Sequence, residues 1–346
     1  MIFFKSNMAV AEQKGKVLED ARYKHLMALS LDEKSGYQQG LIRCIASRSG
    51  DVEECGYIDR SVLHHVSLDG NGKFIIGEKL KINGEEDFLR QAEGDEWDCL
   101  GFEDPDIFND PDDGLTHIYF TIPLLNKIEK NKMQVHLGHA EGKDLQNLKI
   151  TMPVLINNDK TGTAKEVSIA PKNSQGVRLN LFESSDIING DWYSVIKVAI
   201  SRQAGPKWEL GKTVFHPKEQ NRSWCAGHAS PGPLFPKSFI DVGENKLLGL
   251  MNGREANKKI GGKIKYGRFS PGLFIYNYEA GIIEWMADEP LFQDSESKTI
   301  TFVSQFIQTG AEEGIVYAHV DDSFVRAYTL NSEKIKTLIP NKFCQI

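Results

Sequence analysis

The chain has 346 residues and a formal net charge of −7 at pH 7, with 40% hydrophobic and 26% charged residues. Because it is acidic and has no long run of Lys or Arg, nucleic acid and anionic membranes are poor candidates for its main partner. No apolar stretch reaches the roughly 20 residues that span a bilayer, so the expected partner is a small molecule or another protein.

The first residues and the cysteines bear on where the chain works. The segment MIFFKSNMAVAEQKGK has its apolar patches broken by Lys5, Ser6 and Asn7 and lacks the pattern of a signal peptide. We expect reduced thiols and a cytoplasmic protein, without a disulfide framework or a zinc site. The cysteines that lead to this expectation are odd in number and have no CxxC spacing: Cys44, Cys55, Cys99, Cys225 and Cys344.

In chain order, residues 1–34 are predicted to be an N-terminal extension packed on a β domain that spans residues 35–346. Helical periodicity is scarce in that domain, and short β-type runs such as HIYFTI, QVHLGH, WYSVIKVAI and GLFIYNY alternate with Gly, Asp and Asn turns. One acidic segment, GEEDFLRQAEGDEWD at 84–98, is predicted to form a short, solvated helix.

A weak repeat connects the β runs. Each copy has a strand, a polar turn and a bulky apolar residue seven positions after the strand ends, which we interpret as an inner-to-outer hairpin. Together with a fifth strand pair, GIVYAHVDDSFVRAYTL, the copies predict an all-β fold, a five-bladed β-propeller. A pair of β-sandwiches with similar hairpins is the alternative. The four copies end at Phe74, Leu148, Trp208 and Trp285, and both Trp residues are assigned to blade packing.

In a propeller the innermost strands line an axial channel, so residues that begin different blades meet there. GFEDPDIF at 101–108 begins blade two and brings Glu103 and Asp104 to the channel mouth. Carboxylates, cations, a His and an aromatic face are what a sugar site needs. The other blades are expected to supply Arg60, Lys165, Glu166, Lys172, Arg178, Glu183, Trp224, His228 and Asp321 or Asp322.

Two further segments suggest sites that the pattern does not support. His64 and His65 are adjacent in a strand, where neighbouring side chains point to opposite faces and cannot chelate one ion together. The basic, glycine-rich KKIGGKIKYGRFS at 258–270 lacks the strand and helix context of a P-loop. As an insertion in blade four, this segment could overhang the channel and meet phosphate or a nucleotide.

The motifs GFEDPDIF, KEVSIAP, GHASPGPLF with KLLGLMNG, and VYAHVDD occur in an order that resembles the five-bladed propellers of glycoside hydrolase family 130. These are β-mannoside phosphorylases, with some β-1,2-mannoside hydrolases among them. The matches LGHAEGKDL, KEVSIAP and NLFE are similar to a sister group of mannosyltransferase/phosphorylases that act on β-1,2-mannan and can use GDP-mannose. The resemblance covers roughly residues 35 to 330.

The resemblance implies inverting phosphorolysis, or the reverse mannosyl transfer, of β-1,2-linked mannose with Asp104 as general acid. It implies no metal and no organic cofactor; inorganic phosphate or GDP-mannose would be a co-substrate. In this chain Asp106 stands where the family usually has Arg. The residues expected to bind the sugar are Glu103, Arg60, Glu166, Trp224, His228, Asn252 and Asp321, and those expected to bind phosphate are Lys172, Arg178 and Arg254.

Two other functions remain open at the level of the sequence. A glycoside hydrolase of the same fold would use water and a second carboxylate, for which Glu166, Glu183 and Glu255 are the candidates. A non-catalytic propeller that binds carbohydrate or serves as an adaptor would keep its sugar affinity in Asp104→Asn and would have no turnover to lose. For Glu103 and Asp104 themselves the alternative is a solvated acidic turn. In every case the expected ligand is an oligosaccharide or mannoside, and assembly into a homo-oligomer stays open.

Overall fold

Antiparallel sheets dominate the computed structural model, which describes residues 10–50 and 56–344. Within these residues the strands form five sheets of four or five strands and one separate two-stranded hairpin. The five sheets are the blades of a five-bladed β-propeller, so the predicted fold class is confirmed. In the same ranges, no helix combines the length and the apolar character needed to cross a bilayer.

The first half of the propeller follows the chain from β1 (Ala11–Leu18). Blade one comprises β2 (Leu26–Leu31), β3 (Gln39–Ser49), β4 (Ile58–Leu68) and β5 (Phe74–Lys79). The predicted helix at 84–98 is confirmed as α1 (Glu85–Glu93), which buries none of its residues. Blade two comprises β6 (Trp97–Cys99), β7 (Glu103–Asn109), β8 (Thr116–Asn126), β9 (Met133–Gly142) and β10 (Leu148–Ile150), with β6 and β7 both paired to β8.

The second half repeats this arrangement. Blade three comprises β11 (Lys165–Ser168), β12 (Arg178–Ile188), β13 (Asp191–Ser201) and β14 (Glu209–Phe215). Blade four comprises β15 (His228–Leu234), β16 (Lys246–Arg254), β19 (Phe269–Asn277) and β20 (Ile282–Met286), interrupted by the hairpin of β17 (Lys258–Ile260) and β18 (Lys263–Lys265). Blade five comprises β21 (Thr301–Gln308), β22 (Glu313–Val320) and β23 (Phe324–Asn331), after which α2 (Ser332–Lys336) follows.

The sequence predicted that the propeller starts at residue 35, but two strands of its sheets lie before that residue. β1 pairs with β23 as the outer strand of blade five, and β2 pairs with β3 as the inner strand of blade one. This pairing joins the two ends of the described chain and covers edges that would otherwise be exposed. β2, with the sequence LMALSL, is buried along its whole length, so it has none of the polar alternation that marks a strand in a sequence.

The repeat lies on the two outer strands of a blade and does not run from the inner strand outward as predicted. Phe74, Leu148 and Trp208 follow the third strands β4, β9 and β13, and all three are buried in clusters between blades. Trp285 occupies the same place in blade four and is partly buried. Blade five has no fifth copy because its third strand, β23, takes its outer partner from the other end of the chain.

Candidate active site

The inner strands β2, β7, β11, β15 and β21 surround the propeller axis, and a cavity of about 270 Å³ lies at one end of it. All five blades contribute to its lining. Its carboxylates are Asp104, Glu166, Glu183 and Asp322, and its basic groups are Arg43, Lys165, His228, Arg254 and His319. Aromatic walls complete the cavity, formed by Tyr57, Trp192, Tyr266, Phe269 and Phe302.

Asp104 enters the cavity from a bulge in β7. The register between β7 and β8 shifts between Glu103 and Asp106, and the backbone of Asp104 has a φ of 47°. A positive φ is uncommon for a residue with a side chain, and bulges of this kind re-aim side chains next to functional sites. Glu166 has a φ of 48° at the corresponding bulge of β11, so two inner strands present a carboxylate by the same backbone device.

Arg43 explains how the adjacent carboxylates of Glu103 and Asp104 can coexist. Its Nη1 donates to Asp104 at 2.8 Å and its Nη2 donates to Glu103 at 2.7 Å, while its Nε donates to the Ser61 hydroxyl at 3.0 Å. The guanidinium is buried, and its planar fork fits two acceptors at once. Burial raises the pKa of Glu103 to about 7 although Arg43 opposes the shift.

A second network lies across the cavity, between blades three and four. Glu183 accepts hydrogen bonds from Ser194 at 2.9 Å and His228 at 3.1 Å, and Lys165 lies 3.1 Å from the same oxygen. Although burial opposes it, His228 and Lys165 hold the pKa of Glu183 well below its usual range. Burial raises the pKa of Glu166 well above its usual value, and Asp104 adds to the shift. The surroundings therefore favour the ionised form of Glu183 and the protonated form of Glu166.

Blades one, four and five complete the charge pattern. Asp322 lies 3.3 Å from Arg48 and 3.6 Å from Nε2 of His319. The guanidinium of Arg254 stacks over the ring of Tyr266 at 4.2 Å. Asp322, His319 and Arg254 line the cavity, and burial lowers the pKa of His319 below its usual value.

Seven of the residues predicted for the site line this cavity: Asp104, Lys165, Glu166, Glu183, His228, Arg254 and Asp322. Glu103 lies directly behind them and bonds to Arg43 and Ser61. Their roles in catalysis and binding stay predictions, because position alone does not assign them.

Two predicted sugar contacts belong to the scaffold. Trp224 is buried beneath blade four, where its ring lies so close to Gly253 and Gly272 that a Cβ at either position would approach it within 2.4 Å. The side chain of Asn252 is fully buried and bonds to both the carbonyl, at 2.9 Å, and the N–H, at 2.8 Å, of Val303. It joins β16 to the inner strand of blade five and lies outside the cavity.

Asp321 and Arg60 also lie elsewhere. Asp321 accepts the backbone N–H groups of residues 298, 299 and 300, which leaves its neighbour Asp322 to face the cavity. Arg60 is on β4, the third strand of blade one, where it forms an ion pair with Asp98 and is half-exposed. Arg60 does not line the cavity that holds Asp104, so the structure does not bring it to the candidate site.

The two basic residues predicted from blade three lie past the end of its inner strand. β11 ends at Ser168, so Lys172 and Arg178 pair instead with the turn that follows β7. Lys172 lies 2.6 Å from Asp112, and Arg178 lies 3.2 Å from Asp110. Neither lines the cavity that holds Asp104, so they are not placed to bind a phosphate there.

Sequence reasoning missed several groups that line the cavity, chiefly Arg43, Tyr57 and His319. For Arg43 a signal existed. It stands in the run GLIRCIAS, and an Arg inside an otherwise apolar strand is rarely buried without an anionic partner. Tyr57 precedes β4, a position that no motif marks. His319 lies within the motif VYAHVDD, from which only Asp321 or Asp322 was predicted for the site.

Asp106 faces a different space from Asp104. It lines a cavity of about 200 Å³ further along the axis, together with Ser168 and Gln305. Burial raises the pKa of Asp106 to about 7. The bulge thus directs the two carboxylates on either side of Pro105 into separate cavities.

The raised pKa of Asp106 predicts a pH dependence of stability. In the unfolded chain the carboxyl loses its proton near pH 4, whereas in the folded protein it keeps the proton until about pH 7. The contribution of Asp106 is therefore fully present below pH 4 and is lost as the pH rises to about 7. Asp106→Asn, which mimics the protonated form, should flatten the decline in unfolding free energy measured by urea denaturation between pH 4.5 and 7.5. An unchanged slope would contradict the prediction.

Comparison with known proteins shows which solved structures share this fold. No family model and no curated protein matches the sequence. Solved structures do match. β-1,2-Mannobiose phosphorylase from Listeria innocua, in complex with β-1,2-mannobiose, aligns with a TM-score of 0.61 at 14% identity, covering 98% of this chain and 94% of that one.

Two further structures agree. A glycosyl hydrolase from Bacteroides ovatus aligns with a TM-score of 0.58 at 16% identity, covering 95% of this chain and 96% of that one. A mannose phosphorylase from Leishmania mexicana, in complex with a phosphate ion, aligns with a TM-score of 0.55 at 10% identity, covering 95% and 91%. The chain therefore has the propeller fold of glycosidases and mannoside phosphorylases over nearly its whole length, as the resemblance to family 130 implied.

Proposed function

We propose that this protein is an enzyme that acts on β-mannosides, by inverting phosphorolysis of a β-1,2-linked mannose or by the reverse mannosyl transfer, with Asp104 as general acid. One observation carries the proposal: the carboxylate of Asp104, fixed by Arg43, faces a cavity that holds both cationic groups and aromatic walls. Aromatic faces stack on sugar rings, and charged groups bond to hydroxyls.

Two groups act on the glycosidic bond in the proposed reaction: Asp104 as the acid and phosphate as the nucleophile. Asp104 delivers a proton to the glycosidic oxygen, directly or through a hydroxyl of the sugar, as the bond to the anomeric carbon breaks. Phosphate attacks that carbon from the opposite face. Because phosphate is itself the nucleophile, the protein needs to hold it with cations and needs no general base. Arg254 is a cationic group of the cavity that suits this task.

The carboxylates favour phosphate over water as the nucleophile. A hydrolase needs an ionised carboxylate to activate water. Burial raises the pKa of Glu166 and so disfavours its ionised form, and Glu183 is already bonded to His228, Ser194 and Lys165. Glu255, the third candidate base, does not line the cavity and pairs with Lys258.

The named neighbours support the substrate class. One matching structure is a phosphorylase that holds β-1,2-mannobiose, and another is a mannose phosphorylase that holds phosphate. Both ligands are the ones that the proposed reaction requires.

The test is a reaction with β-1,2-mannobiose and inorganic phosphate, followed by mass spectrometry. We expect mannose 1-phosphate and mannose in equal amounts, and no sugar release when phosphate is omitted. Free mannose without phosphate would instead identify a hydrolase. A parallel reaction with GDP-mannose and mannobiose as acceptor tests transfer. If all three reactions yield no product, the enzyme proposal fails for this substrate class and a binding propeller remains.

A further inference from the structure

A pair of buried histidines lies on blade two, away from the candidate active site. His117 is on β8 and His139 on β9, and neither side chain is exposed to solvent. In the register of blade two, Thr121 of β8 faces Glu103 while His117 faces Phe108. His117 is four residues from Thr121 along β8, so about 13 Å of strand separate the histidine pair from Glu103, the neighbour of Asp104.

Three potential ligand atoms converge at this pair. Nδ1 of His117 lies 2.9 Å from Nε2 of His139 and 3.7 Å from the carboxylate of Glu141. All three atoms lie within 4.8 Å of one another. Directly opposite residues in neighbouring strands share a face, and His117 is opposite Glu141 in the register.

The outer nitrogen of each imidazole has an oxygen partner that can accept its proton. Nδ1 of His139 lies 2.7 Å from the hydroxyl of Thr151, which is also 3.0 Å from the carbonyl of Met152 and 3.3 Å from that of His139. Nε2 of His117 lies 3.1 Å from Asp113, which also accepts the N–H of Leu115 at 2.8 Å. Thr151 can therefore accept from His139 while it donates to a carbonyl, and with Asp113 as the acceptor for His117 each imidazole can keep its proton on the outer nitrogen.

With these tautomers two lone pairs face each other at 2.9 Å, whereas a hydrogen bond joins the same two nitrogens when one of them carries a proton. A neutral imidazole has one N–H, and both of these N–H groups point away from the pair. Two acceptors at this separation repel unless a cation lies between them. Neither histidine can relieve the repulsion by turning, because both rings are buried and held at their outer nitrogens.

We propose that a divalent transition-metal ion, Zn²⁺ by its chemistry, binds between Nδ1 of His117, Nε2 of His139 and the carboxylate of Glu141. Nitrogen ligands lie about 2.0 to 2.1 Å from zinc and carboxylate oxygens about 2.0 to 2.2 Å. In a tetrahedral site such ligands are about 3.3 to 3.6 Å apart, and the separations of 2.9 and 3.7 Å lie on either side of that range.

The surroundings have the form of a metal site. A ligating His commonly donates its other N–H to a carboxylate or a similar acceptor, which fixes the ring and the tautomer. Asp113 and Thr151 stand in those positions for His117 and His139. Glu141 has a side chain 37% exposed, so water can supply the fourth ligand. The ion would tie β8 and β9 to the turn that carries Asp113, which is a structural role.

The experiment uses the full chain without a histidine tag, dialysed against EDTA and then against metal-free buffer. Calorimetric titration with Zn²⁺ should show one ion per chain, and Co²⁺ should give visible absorption bands that Zn²⁺ abolishes. Zn²⁺ should also raise the melting temperature. His139→Gln and Glu141→Gln should each weaken Zn²⁺ binding by at least tenfold, the scale seen when groups of a metal site are removed.

His136→Gln is the matched control. His136 is also a buried histidine of β9, but it lies three positions before His139, so it is on the other face of the strand, where it accepts a hydrogen bond from the N–H of Asn157. Its substitution should leave Zn²⁺ affinity unchanged. Glu141 is partly exposed, so Glu141→Gln keeps the test valid if His139→Gln does not fold. Absence of the Co²⁺ bands, or equal Zn²⁺ affinity in the wild type and Glu141→Gln, would overturn the proposal and leave a shared proton between the histidines.

Discussion

Asp104→Asn is expected to lower kcat for phosphorolysis of β-1,2-mannobiose by about 10²- to 10⁴-fold, the range that general acid catalysis supplies. The amide has the shape of the carboxyl group, and its oxygen can still accept the hydrogen bond from Arg43. The fold and the binding of substrate should therefore persist while the proton donor is lost. Steady-state kinetics give kcat and KM, and urea denaturation checks the stability of the variant.

Asp106→Asn is the control for this experiment. The two aspartates flank the same proline and undergo the same chemical change, but Asp106 faces the separate cavity further along the axis. We expect its kcat to stay within a few-fold of the wild type. Equal losses in both variants would show that the effect arises from disturbance of the bulge, and full activity in Asp104→Asn would exclude Asp104 as the acid.

Arg43→Ala is expected to cost about 3 to 5 kcal/mol of unfolding free energy at neutral pH, because it leaves two buried carboxylates without their cation. Glu103 and Asp104 lie 2.7 and 2.8 Å from its guanidinium. Activity should fall as well, since Asp104 loses the group that orients it. Arg43→Lys should recover part of the stability but not the activity, because an ammonium group does not form the two-pronged contact.

Arg60→Ala provides the comparison on the same blade. Its ion pair with Asp98 is half-exposed, and exposed pairs contribute about 0 to 1 kcal/mol. Urea denaturation of the two variants should therefore separate them by several kcal/mol. Similar small losses in both would mean that Glu103 and Asp104 do not depend on Arg43.

The blade starts could be predicted from the sequence because short motifs mark them. β7 begins at Glu103, β11 at Lys165 and β15 at His228, each in the motif that predicted an inner strand. Turns rich in Gly and Pro precede or interrupt these strands, so their positions are visible in the sequence. This is why Asp104, Glu166 and His228 were predicted for one space and lie in one cavity.

Residues inside the blades could not be placed in the same way. Arg43 reaches the cavity from the second strand of blade one, whereas Arg60 on the third strand does not. The choice depends on strand order from the axis, and that order was misjudged because the inner strand β2 has no polar alternation. Lys172 and Arg178 show the other difficulty. The motif locates β11, but this strand ends at Ser168, and the residues that follow it lie away from the cavity that holds Asp104.

The pairing of β1 with β23 also has a consequence for how the molecule forms. Ala11 lies opposite Leu330, so this contact joins residues about as far apart in sequence as the fold allows. Contacts at such separation carry a large loop-closure entropy and slow the search for the native state. On the ribosome, residues 11–18 would wait without their partner until nearly the whole chain has been synthesised. The ring therefore closes last, and the unpaired edges of blade five are exposed to aggregation during that interval.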